Sequence, residues 1–153
     1  MPLHFLLESF LCGYRVISKL IRKILKNFAY LCLMESNYFS FEKLAVWQES
    51  RTLVKEIYIL LRNFPAEEKF ALCDQIRRAV VSTPSNIAEG ASRMSNKEKS
   101  HFVEIAFGSL MEVYCQIQIA CDLDYISEEQ LSAIRNRILR ISKMLNALRK
   151  SFQ

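Results

Sequence analysis

A chain of 153 residues, 51% of them apolar, suits one domain with a filled core and argues against disorder; three glycines and three prolines are too few for the turns of a β-rich fold. The formal charge of +5 is unevenly placed: residues 1–33 hold five basic side chains and one acid, residues 34–130 ten basic and fifteen acidic, and residues 131–153 six basic and no acid. That distribution excludes a protein that coats nucleic acid with its whole surface. Five cysteines, at 12, 32, 73, 115 and 121, form no C-x-x-C pair and lie near no second Cys/His cluster. Neither a zinc site nor a disulfide framework is supported. They are expected to be reduced, mostly buried thiols of a cytoplasmic protein, Cys73 and Cys115 falling within apolar stretches.

Residues 1–33 read differently from the rest. After an apolar start, Val16, Ile17, Leu20, Ile21, Ile24, Leu25 and Phe28 recur at helical spacing, with Arg15, Lys19, Arg22, Lys23 and Lys26 between them. This predicts a basic amphipathic leader helix. It is a poor signal peptide, because its charges follow the first apolar run, and a poor membrane span, because charges interrupt every apolar stretch. The preferred reading is that translation starts at Met34, which leaves residues 1–33 upstream of the domain over 34–153; a surface-docking helix and an extra packing helix are the alternatives.

Four long helices follow. The first is predicted over 41–62, with Leu44, Trp47, Val54, Ile57, Leu61 and Phe64 on its apolar face, and it breaks at Phe64 because a residue before proline leaves the α region. Pro65 is expected to open the second helix, with Glu67 and Glu68 in its first turn and Phe70, Leu72, Cys73, Ile76, Ala79 and Val80 on its apolar side. That helix should continue, kinked, through Pro84 and end at Gly90 in a left-handed cap. Ser95 to Glu98 has the form of a capping box and opens a third helix over 96–122, lined by Phe102, Ile105, Ala106, Leu110, Val113, Tyr114, Ile117 and Ala120. The small pair Gly108 and Ser109 should let a neighbouring helix come close. Ser127 to Gln130 is a second capping box. Beyond it Leu131, Ile134, Ile138, Ile141, Leu145 and Leu148 recur in steps of 3, 4, 3, 4 and 3, an a/d seam. Short loops between long helices predict an all-α, up-down antiparallel four-helix bundle with an extra N-terminal helical leader.

Three tracts carry a family resemblance: Phe41-Glu42-Lys43-Leu44 with Val46-Trp47-Gln48; Gln75 through Gly90, with its Ser82-Thr83-Pro84-Ser85-Asn86-Ile87-Ala88-Glu89-Gly90 run; and Phe102 through Glu112. In this order the chain resembles the four-helix-bundle proteins encoded within intervening sequences of bacterial 23S ribosomal RNA genes, over about residues 39–150. The resemblance implies a bundle that assembles as a homopentamer. It also implies a relative, the accessory protein of diversity-generating retroelements, which works with a reverse transcriptase and nucleic acid. It implies no established activity; from the residues themselves, no cofactor and no metal are expected.

Two sets of residues are candidate sites. Gln75, Arg78, Asn86 and Glu89, with Ser109 and Glu112 on the third helix, are expected to form a structural polar network fixing helix register, including an Arg78–Glu112 pair; the alternative is a partner-facing patch. Arg137, Arg140 and Lys143 fall on one broad face of the fourth helix and, with Arg149 and Lys150, are the candidate nucleic-acid contacts. The alternative is a solvated surface with favourable charges at a helix C-terminus. No P-loop, dinucleotide fingerprint or nucleophile elbow occurs, and His101 is expected to be an exposed helix residue. The expected function is therefore non-enzymatic: an oligomer that associates weakly, without sequence specificity, with RNA or DNA through basic surface residues. The alternative is an oligomeric scaffold for a protein partner, with no nucleic-acid contact. No small-molecule substrate is indicated.

Overall fold

The computed structural model describes residues Phe39–Gln153. The leader over 1–33, Cys12, Cys32 and the expected start at Met34 lie outside the described residues. Four α-helices occur, α1 (Ala45–Leu60), α2 (Leu72–Ser92), α3 (Asn96–Asp122) and α4 (Glu128–Lys150), and there is no strand among the described residues.

Cross-helix pairs fix the topology. On α2 and α3, Gly90 meets Phe102 and Ser82 meets Ser109. On α3 and α4, Glu104 pairs with Arg149 and Tyr114 faces Arg135. On α1 and α4, Glu49 pairs with Arg140 and Glu56 with Arg137. In each pair one number rises as the other falls, so neighbours are antiparallel and α4 closes the ring against α1. The expected up-down four-helix bundle is what forms.

The helix ends follow local chemistry. Leu61–Asn63 tightens into a 3-10 turn and Phe64 is extended at φ −74°, ψ 153°, as a residue before proline must be. Pro65, however, does not open α2. It leads a separate 3-10 turn, Ala66–Phe70, and Ala71 leaves helical geometry at ψ −109° before α2 begins at Leu72. Glu68 explains the later start: its Oε2 accepts the Leu72 N–H at 3.1 Å, supplying the first turn with an acceptor from outside the helix. Phe70, expected in the core, belongs to this turn and is 85% exposed.

Helix α2 is continuous through Pro84, whose ring is buried, and runs to Ser92. Gly90 is therefore not a left-handed terminator. An added Cβ there would lie 2.8 Å from the Phe102 Cβ, so glycine is needed for the close approach of α3. At α3 the Ser95 Oγ accepts the Glu98 N–H at 3.2 Å, and its own hydroxyl donates to Glu98 Oε2 at 2.9 Å. At α4 the capping box is complete: Ser127 Oγ accepts from Gln130 N–H, and Gln130 Oε1 accepts from Ser127 N–H. Between them Asp124, at φ 59°, turns the chain, a left-handed position that aspartate tolerates.

The core lies where the four stripes meet. On α4 the middle of the a/d seam, Ile134, Ile138, Ile141 and Leu145, is buried, while Leu131 and Leu148 at its ends are half-buried. On α1 the buried stripe is rotated from expectation, running through Val46, Ser50, Leu53, Ile57 and Leu60, with Leu44, Trp47 and Val54 half-buried beside it. Ser50 disguised that stripe. Its hydroxyl donates to Val46 O at 2.7 Å, which lets a polar side chain sit in the core satisfied. On α3 the buried positions include Val103, absent from the expected face, whereas Ile105 is 38% exposed.

Candidate interaction surfaces

The polar residues of the Gln75–Gly90 tract do not form one buried network. Gln75, Arg78 and Glu89 are exposed on α2. Arg78 pairs with Asp74 one turn back and Glu89 with Arg93 one turn on. Glu112 on α3 accepts from Gln116 at 2.9 Å. The expected Arg78–Glu112 pair is therefore absent: both side chains lie on the surface, where local partners cost less ordering than a cross-helix bridge. A smaller network does exist. Ser82 and Ser109 share a 2.9 Å hydrogen bond between α2 and α3, and Asn86 Nδ2 donates to Ser82 Oγ and Ser82 O at 3.0 and 2.8 Å.

On the outer side of α3 the residues Ile105, Gly108, Glu112, Cys115 and Ile119 are all exposed and recur in steps of 3 and 4. They make a second seam, directed away from the core, with Glu112 its one charge. Gly108 has no heavy atom within 4 Å of where a Cβ would be, so its smallness, unlike that of Gly90, serves no contact within this chain. Cys115 is exposed, contrary to expectation, because its apolar neighbours divide between the two seams; Cys73 is buried and Cys121 half-buried, all three as thiols. Sequence reasoning missed this outer seam, although apolar residues on two sides of one helix are its signal.

The basic residues of α4 divide into groups. Arg137 is half-buried: its Nε donates to Glu56 Oε2 at 2.6 Å and its Nη1 to Glu49 Oε2 at 2.8 Å. The Glu56 hydrogen bond is the main influence raising its pKa further. Arg140 touches Glu49 at 3.2 Å but stays 66% exposed. Lys143 and Lys150 are exposed, and Arg149 reaches Glu104 at 3.4 Å. Glu49 and Glu56, two turns apart on one face of α1, were the readable signal for the Arg137 site. His101 is exposed, as expected.

Helices α1 and α4 leave a groove of about 610 Å³, lined by Glu56, Ile59, Leu60, Asn63, Gln130, Ala133, Ile134, Asn136, Arg137 and Arg140. Among the described residues no three His, Cys, Asp or Glu side chains converge as a metal site requires, and no helix is long and apolar enough to cross a membrane.

Comparison with known proteins agrees with this architecture. A protein of unknown function from the S23 ribosomal protein family of Bacteroides thetaiotaomicron has a crystal structure similar to this one, with a TM-score of 0.64 and 26% identity over 69% of this chain and 95% of that one. No curated protein matches the chain. The family model for the 23S rRNA-intervening sequence protein matches residues 42–147, from the start of the bundle to the last turn of α4. The chain thus belongs to the 23S rRNA-intervening sequence protein family.

Proposed function

We propose that this protein is a non-catalytic, cytoplasmic scaffold that assembles from copies of itself through the outer surface of α2 and α3. The observation that carries this reading is the outward seam of α3. Ile105, Gly108, Cys115 and Ile119 give it a knobs-and-holes spacing, and the bare Gly108 leaves room for a helix from a second copy. Gln75, Arg78 and Glu89 on the adjoining α2 surface supply polar partners at the rim, the pattern of an interface with an apolar centre. The homopentamer implied by the family is the copy number expected.

Light scattering on the full chain across a concentration series tests this. Assembly should persist at micromolar concentration in the parent and be lost in Ile105→Glu/Ile119→Glu with the helical content intact. A chain monomeric at every concentration, or a double variant of unchanged mass, would sink the reading.

A second reading, weak association with RNA or DNA without sequence specificity, is favoured by the exposed Arg140, Lys143 and Lys150, in a segment that contains no acid. Assembly would repeat this set and raise avidity. Arg137 drops out as a contact, since two carboxylates already hold its guanidinium. A gel shift at two salt concentrations decides: phosphate contacts weaken steeply with salt, and Arg140→Glu/Lys143→Glu/Lys150→Glu should abolish the shift. Absence of any shift at low salt leaves the scaffold reading alone.

A further inference from the structure

The apolar floor of the groove between α1 and α4 serves neither of these readings, although its mouth shares Arg140 and Lys143 with the second. Its floor is apolar, formed by Ile59 and Leu60 from α1 and Ala133 and Ile134 from α4. Ile59 is 49% exposed, an uncovered branched side chain on a helix whose next residue, Leu60, is buried. From Gln130 to Arg140 the groove follows α4 for about 15 Å at the helical rise. Its two ends differ. The neutral amides of Asn63 and Gln130 bound one end, and Arg140 stands at the other. A second depression, lined by Asn136, Leu139, Arg140, Lys143 and Met144, shares Asn136 and Arg140 with the groove and adds a second cation. The trough therefore has an apolar length, an uncharged foot and a cationic mouth.

We propose that this groove binds a free single-chain anionic amphiphile, a fatty-acyl carboxylate or a monoalkyl phosphate. The alkyl chain lies over Ile59 and Ala133, and the head group meets Arg140 and Lys143. The groove volume, about 610 Å³, falls within the range of small-ligand sites, roughly 300–1,000 Å³. Covering Ile59 removes apolar surface from water, the main driving force for such a chain. Arg140 is engaged by one carboxylate contact, to Glu49, and most of its five N–H donors remain open to an incoming anion. Arg137, in contrast, is already held by the carboxylates of Glu49 and Glu56 and acts as a wall. The rim also separates a free amphiphile from a bilayer. Glu56, Asn63 and Asn136 surround the trough, and pressing them against a membrane would desolvate a carboxylate and two amides.

Calorimetric titration of the full chain tests the proposal, using dodecanoate below its micelle threshold, dodecyltrimethylammonium, inorganic phosphate and anionic phospholipid vesicles. Dodecanoate should bind one to one, and the other three should not bind. Ala133→Trp, at an exposed position, should abolish binding by filling the trough, and Ile59→Gln, which places an amide on its apolar floor, should weaken binding if the first variant folds poorly. Arg140→Gln/Lys143→Gln should weaken dodecanoate about tenfold, the loss of charge-assisted hydrogen bonds to the head group. No dodecanoate binding, equal binding of the cationic amphiphile, binding of vesicles, or full binding by a well-folded Ala133→Trp would each overturn it.

Discussion

Helices α2 and α3 meet where a side chain is missing, whereas α1 and α4 are held by some of the longest side chains in the bundle. Gly90 lies against the Phe102 Cβ, and Ser82 reaches Ser109 directly, so that pair is closed by short groups. Between α1 and α4 the guanidinium of Arg137 spans from one helix to two carboxylates of the other, with Arg140 adding a third contact. A long arm holds helices together at a distance. The apolar surface under it then stays uncovered, which is why Ile59 remains 49% exposed while Ala106 on α3 is fully buried. One bundle thus uses two kinds of closure, and only the looser one leaves a groove.

The contrast can be broken or sharpened by substitution. The largest effect should come from the packed side: Leu110→Ala, at a fully buried position, is expected to cost about 2–5 kcal/mol by urea denaturation, against under about 1 kcal/mol for Ile59→Ala in the open groove. Equal costs would mean that the two sides are equally packed. Next, Gly90→Val should lose roughly 1–3 kcal/mol through overpacking against Phe102, although valine has the better helix propensity. The same change at Gly108, where the space is open, should leave the stability of the single chain unchanged or raise it. Arg137→Ala should cost about 1–2 kcal/mol, between the surface and buried limits for an ion pair, because the arginine side chain is 27% exposed. A parent whose melting temperature ignores salt while the variant is unaffected would deny the ion pairs any part in the closure.

The smallest effect concerns Tyr125, whose hydroxyl donates to Glu68 Oε1 at 3.1 Å. Burial first, then the bond to Glu68, raise its pKa above the usual 10.0. The folded chain thus holds this proton more tightly than the unfolded chain. The contribution is complete below pH 10 and declines as pH rises through the higher folded value. Parent and Tyr125→Phe should therefore converge in stability under alkaline conditions; a constant gap up to strongly alkaline pH would remove the hydrogen bond from the account.

Much of the fold was legible because its signals are periodic and local. The α4 seam and the serine caps at Ser95 and Ser127 depend on residues a few positions apart, and their places read correctly, although only Ser127 forms the full capping box and the Glu98 carboxylate takes the Ser95 hydroxyl instead of its backbone N–H. The errors arose where a group outside the pattern being read intervened, whether on another helix or in the next turn. Gly90 resembled a helix terminator because Phe102 on the next helix was invisible to local reading. Pro65 resembled a helix start because the carboxylate that caps Leu72 comes from Glu68 in the intervening turn. The candidate surfaces were less legible still. Charge spacing grouped Arg137 with Arg140 and Lys143, but exposure depends on Glu49 and Glu56 from a helix some eighty residues earlier in the chain. Spacing shows which side chains share a face of one helix, and cannot show what the neighbouring helix places opposite them.

The separation of these contacts along the chain sets an order of assembly. Ser82 and Ser109 are 27 residues apart, whereas Arg137 and Glu49 are 88 apart. Closing the larger loop costs more chain entropy and is repaid only after the intervening helices have docked. The α2–α3 hairpin is therefore expected to be structured in the folding transition state, with the α1–α4 clasp fastening afterwards. On that order Arg137→Ala accelerates unfolding and leaves the refolding rate nearly unchanged, so the clasp governs how long the native state lasts more than how quickly it is reached.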